Sequence, residues 1–241
     1  MKLGEMLLAL SQAWWRMRRA RRQRPQPFRS LEKERWQETW QTLGLASPPG
    51  LLHQLEKKWQ EPQRAYHTLD HLESGLALLG EYRHLAARPP ELELAFYFHD
   101  AVYDPTRADN EEQSAELAAT ALAQAGASRE LIERIAALIL FTRHQAEPPG
   151  DPDAQLLVDV DLAILGAETQ IFDRYESAVR EEYGFVPKAI FRRKRREILA
   201  SFLARPQIYL TPALHERFEA KARENLTRVV AALAAGREKE I

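Results

Sequence analysis

Histidine and aspartate occur in three short segments that otherwise read as buried. YHTLDH carries His67 and His71 four residues apart, a spacing that puts both on one helix face. AFYFHDAVYD holds the adjacent pair His99-Asp100 and, further on, Asp104, while LLVDVDLAIL holds Asp159 and Asp161. An ionised carboxylate in an apolar helix is costly unless something pairs with it. One divalent cation would serve all of these groups: imidazole and carboxylate, with water completing the coordination, suit Mn²⁺, Fe²⁺, Co²⁺, Ni²⁺, Zn²⁺ or Mg²⁺. Each piece alone has a plainer explanation, since a core histidine is usually a hydrogen-bonded one. The ordered set is more specific: a histidine, a His-Asp pair one long helix later, and an aspartate about sixty residues on.

Their neighbours suit phosphate chemistry. Arg64, three residues before His67, and Arg143, beside His144, are placed to grip a phosphate. Protonating a leaving alkoxide needs a nearby acid, and His67 and Asp104 are the two within a helical turn. Asp104 follows Asp100 by four residues, so a continuing helix sets both on one face. Asn110 fits a substrate contact and helix capping equally well. His144 reads as an outer partner of a ligand in preference to a ligand for a second ion. His53, His84 and His215 read as structural or exposed.

The elements that must position these groups are helices. Helical spans are expected at 30–43, with Ser30 as N-cap and Gly44 past the end, and from the Pro48-Pro49 turn to about Trp59. Apolar residues at Leu69, Leu72, Leu76 and Leu79 predict a helix within 67–87. Spans at 91–102, 110–125, 128–143 (capped by Ser128), 154–165, 168–183 and 187–203 follow, with a loop at 147–152. The last helix starts at Thr211-Pro212. No hairpin dipeptide joins β-branched runs, so the expectation is an all-α chain: one domain over 27–241 behind a basic arm at 1–26. Trp36 and Trp40, at helical spacing, read as packing. Trp14-Trp15 belong to the arm, which reads as a disordered or partner-docked extension.

Composition sets the outer bounds. The chain has 241 residues, no cysteine, and 34 basic against 35 acidic residues. The charge balance argues against a general nucleic-acid binder. The lack of cysteine excludes disulfides, thiolate metal sites and cysteine nucleophiles, and suits a reducing compartment such as the cytoplasm. Residues 1–15 carry Glu5, Ser11 and Gln12 and no small-residue cleavage site, so neither a signal peptide nor a membrane span is expected. Charge is nevertheless uneven. Residues 16–24 and 188–196 contain no acid, whereas 91–116 carry eight acids against Arg107. That pattern suits a site that holds a cation and then attracts an anion, or else solvated helix faces.

YHTLDH, FYFHDAVYD, NEEQSA and VDVDLAILG, with EPQRAYH, RPQIYLT and ARENL, resemble the HD superfamily, in its branch of predicted metal-dependent phosphohydrolases. The resemblance covers about 36–226. It implies an all-α HD-type domain whose metal ligands are His71, His99, Asp100 and Asp161. Asp159 shares the DVD triplet with Asp161, and the two cannot face the same way on a regular helix. The first segment is also similar to that of cyclic-nucleotide phosphodiesterases, which implies a general acid at His67 and a metal ligand at His71. The activity implied is hydrolysis of a phosphomonoester or phosphodiester of a small molecule, nucleotides included, by metal-activated water. A competing expectation is an HD fold that keeps its metal but senses a nucleotide or docks a protein.

Overall fold

A computed structural model describes residues 30–144 and 150–236, with side chains described from residue 33. The expected arm at 1–26, with Trp14, Trp15 and the run at 16–24, lies outside the described residues, as do the Ser30 side chain and residues 147–149 of the expected loop. The described residues form α-helices and no strand. In chain order the helices are α1 (Ser30–Thr42), α2 (Leu51–Trp59), α3 (Leu69–Glu81), α4 (Pro89–Phe98) and α5 (Asn110–Gln124). Then come α6 (Arg129–Phe141), α7 (Pro152–Asp161), α8 (Thr169–Glu182), α9 (Lys188–Leu203) and α10 (Pro212–Ala234). Short 3₁₀ turns occupy Arg83–Leu85 and Leu162–Gly166. None of these helices is long and apolar enough to cross a membrane. Contacts divide the described chain into two compact units, 30–158 and 159–236, with the boundary inside α7.

In the first unit α4 is the central helix, packing against α1, α3, α5 and α6. Its residues 91–98 are all buried, which removes the one-sided apolar stripe of a surface helix. Trp36 and Trp40 are 2% and 1% exposed and pack as expected, Trp36 meeting Tyr97 edge-on. Gly75 on α3 faces the Phe96 ring, and a Cβ there would overlap it. The missing side chain lets α3 close on α4.

Two expectations need correction here. The helix expected at 91–102 stops at Phe98, because side chains of α5 claim the backbone beyond it. Ser114 Oγ accepts from Val102 N at 3.0 Å, and Asn110 Oδ1 accepts from Asp104 N at 3.0 Å. Asp104 therefore does not share a helix face with Asp100. The helix expected from 67 begins at Leu69, after an extended Thr68, so His67 precedes it. The Ser128 cap is as expected, its side chain accepting from Leu131 N at 3.2 Å.

In the second unit, two buried carboxylates hold the strap before α10. Glu219 accepts from Ile208 N and Tyr209 N, and Asp159 accepts from Leu210 N and Thr211 N. Tyr209 Oη donates to Leu162 O at 2.9 Å, tying the strap to the 3₁₀ turn. Within the basic run at 188–196, Arg195 is not a solvated cation. It is 8% exposed and grips Glu176 with Nε and Nη2.

Candidate metal centre

The first unit brings three of the expected histidines and one aspartate together. His71 Nε2 and His99 Nε2 lie 3.2 Å apart. Asp100 Oδ2 is 3.4 Å from His99 Nε2 and 3.9 Å from His67 Nε2. His71 sits in the first turn of α3, and His99 directly follows α4, so two packed helices set their spacing. His99 Nδ1 is 2.8 Å from Phe96 O, a bond that requires the proton on Nδ1. In the neutral ring Nε2, which faces His71 Nε2, is then the accepting nitrogen, as a metal-ligating imidazole requires. Two nitrogens about 2.1 Å from one ion, at roughly 100°, lie about 3.2 Å apart, so this donor pair fits a divalent transition metal.

The two aspartates of DVD separate as the helix geometry demands. Asp159 is fully buried and bonded to Leu210 N and Thr211 N. Burial pushes its carboxyl up to about 6 against the pull of those N–H groups. Asp161 is the last residue of α7, and the strap bonds to Leu210 N and Thr211 N are those of Asp159, not its own. Asp100 stands beside the histidine pair through His99.

The remaining expected residues take other positions. Arg64 is fully buried, and its guanidinium donates to His67 O at 3.0 Å and Ala101 O at 3.2 Å. Asp104 Oδ1 accepts from Thr106 N and Oγ1, and its backbone is clamped by Asn110, whose Nδ2 donates to Asp104 O at 3.0 Å. A cleft of about 260 Å³ opens there, lined by Lys58, Glu61, Tyr103, Asp104 and Arg107. Arg143 pairs with Glu111 and Glu112. His144 follows α6 with a left-handed φ of 54°. His53 is exposed but has company, since its Nδ1 is 3.2 Å from Glu56.

The acidic stretch 91–116 is not a single cation-attracting field. Glu91 bonds Arg134 at 2.6 Å, Glu93 bonds Thr39 and Arg83, and Asp109 bonds Arg107. Only Asp100 among these acids stands with the histidines.

Sequence reasoning passed over the aromatic walls. Tyr103 stacks on His67 with ring centroids 4.2 Å apart, and Tyr66 lies 4.9 Å from the His71 ring. Trp59 lies 5.5 Å from the His99 ring and donates its indole N–H to Tyr97 O. Their proximity in sequence to the motifs was the available signal. Comparison with known proteins adds no assignment: no family model, curated protein or solved structure matches the chain.

Proposed function

We propose that this protein is a metal-dependent phosphohydrolase acting on a phosphate ester of a small molecule, nucleotides included. The observation that carries the reading is the facing pair His71–His99, with the His99 ring held by Phe96 O so that its Nε2 points at His71 Nε2. His71, His99 and Asp100 would hold one divalent cation of the Mn, Fe, Co, Ni, Zn or Mg kind, and the resemblance adds Asp161 as a further ligand. Such an ion, when bound, acidifies water and takes up charge on a phosphoryl oxygen. The resemblance of the motifs to HD phosphohydrolases supports the same reading, and a cytoplasmic setting belongs to it.

The chain's own groups supply the rest. His67 is partly open, its side chain 22% exposed, and its Nε2 lies 3.9 Å from Asp100 Oδ2. Protonated, it carries a proton at the edge of the donor group that it can give to a departing alkoxide. Tyr103 covers one face of its ring. The buried walls of Trp59 and Phe96 exclude water from behind the histidine pair, which strengthens every charge interaction in front of it.

The test is a hydrolysis screen over nucleotides, sugar phosphates and nitrophenyl esters, with metal-loaded and metal-stripped protein and elemental analysis of both. Metal-dependent turnover supports the proposal. Retained metal without turnover of any ester would favour a sensing or docking module. Neither metal nor turnover would remove both.

A further inference from the structure

We infer that Arg64 is a positioning residue: its buried guanidinium locks the segment that carries His67 to the turn that follows His99-Asp100. The inference deepens the proposed function and rests on its reading of His67 as the proton donor.

An arginine beside a phosphate site is ordinarily taken to grip the phosphate. Arg64 cannot do so from where it stands. It is fully buried, and its two terminal nitrogens are committed to backbone carbonyls. Nη1 donates to the carbonyl of His67 itself, and Nη2 donates to the carbonyl of Ala101, two residues after His99. The guanidinium carbon lies over the Trp59 ring at 5.2 Å and over the Tyr103 ring at 5.3 Å. Both rings also touch the candidate site: Trp59 adjoins His99, and Tyr103 stacks on His67. Glu61, 3.5 Å from Nη2, supplies a counter-charge.

One planar group thus touches every part that sets His67: its backbone, the ring stacked on it, and the turn beyond the ligand pair. His67 precedes α3, so it stands outside the helix that carries His71. Lysine could supply the charge but not the flat face between two rings together with two in-plane donors.

The test uses the full chain with Arg64→Lys and Arg64→Ala, each checked for folding by circular dichroism. Two readouts are taken: the imidazole NMR signals of the metal-free protein, and hydrolysis of bis(p-nitrophenyl) phosphate and of an alkyl phosphate by metal-loaded protein. Arg64→Lys is expected to move the His67 ring signals while those of His71 and His99 stay close to their original positions. The alkyl phosphate kcat should fall about 10²-fold with KM little changed, as misplacement of a reacting group does. Methylguanidinium added to Arg64→Ala should return the His67 signals and part of kcat, whereas methylammonium should not. Where Arg64→Ala does not fold, Arg64→Lys decides the question through the same His67 signals.

Unmoved His67 signals, or equal movement of all three rings, would overturn the inference. So would a raised KM at unchanged kcat, the mark of a phosphate contact. If the unmodified protein hydrolyses no ester, the proposed function fails, and the NMR signals still decide what Arg64 does.

Discussion

His67 lies nearly flat on Tyr103, with ring centroids 4.2 Å apart and planes 28° from parallel. The stack holds the imidazole at the edge of the donor group without making it a member. A proton donor and a metal ligand then respond differently to removal. His67→Ala should keep its metal and lose turnover of alkyl phosphates by about 10²–10⁴-fold. Nitrophenyl esters, whose leaving groups depart without a proton, should lose much less. Equal losses on both with release of metal would make His67 a ligand.

Removing a ligand should act on metal content first. His71→Ala, His99→Ala and Asp100→Ala are each expected to lose most bound metal and all hydrolysis, because each removes one donor from a small imidazole–carboxylate set. Elemental analysis checks this. Full metal content in the Asp100 variant would leave His71, His99 and Asp161 as the ligand group.

The two neighbouring aspartates should separate cleanly. Asp159 spends its carboxylate on Leu210 N and Thr211 N, so Asp159→Asn should cost about 1–3 kcal/mol of stability and little metal. Asp161→Asn should cost metal and little stability. Thermal melts and metal analysis of the pair, run together, would reverse the assignment if the two losses change places.

Arg134 offers a pH test away from the site. It bonds Glu91, Asp151 and Asp153, the last only 1% exposed. Burial pushes the Asp151 carboxyl up, but bonds from Arg134 and from Asp153 N outweigh it and leave the group below its ordinary value. A depressed carboxyl stabilises the fold above its unfolded pKa of about 4, and that contribution fades as pH falls through the folded value. Arg134→Leu strands these carboxylates and should cost about 3–5 kcal/mol near neutrality. The deficit should narrow below about pH 4, where a protonated Asp151 needs no cation. A deficit constant from pH 7 to pH 3 in denaturant titrations would sink the idea.

Apolar spacing made α3 legible in the sequence, and an apolar run long enough for a buried helix did the same for α4. It misplaced their ends, because the limits are set by partners distant in sequence. Ser114 and Asn110 stop α4 from continuing, and no periodicity within 91–102 announces them. The four-residue interval from His67 to His71 was read as one helix face, yet the extended Thr68 interrupts it. Spacing showed that Asp159 and Asp161 must diverge, but the strap that claims Asp159 lies fifty-one residues away. Arg64 was read as a phosphate contact from its place three residues before His67. Its burial depends on Trp59 and Tyr103 arriving from two sides.

The absent side chain of Gly75 has a consequence for how an ion would be held. By letting α3 close on Phe96, it sets how near His71 comes to His99. A gap of 3.2 Å accommodates bonds of about 2.1 Å at a comfortable angle. An ion with calcium's bond lengths, roughly 2.4 Å, would be straddled at about 84°, an ordinary angle for it, so what disfavours it is the softness of the imidazole donors. The closeness of two helices therefore presents two nitrogens side by side, and their softness, not the gap between them, turns away the harder cation.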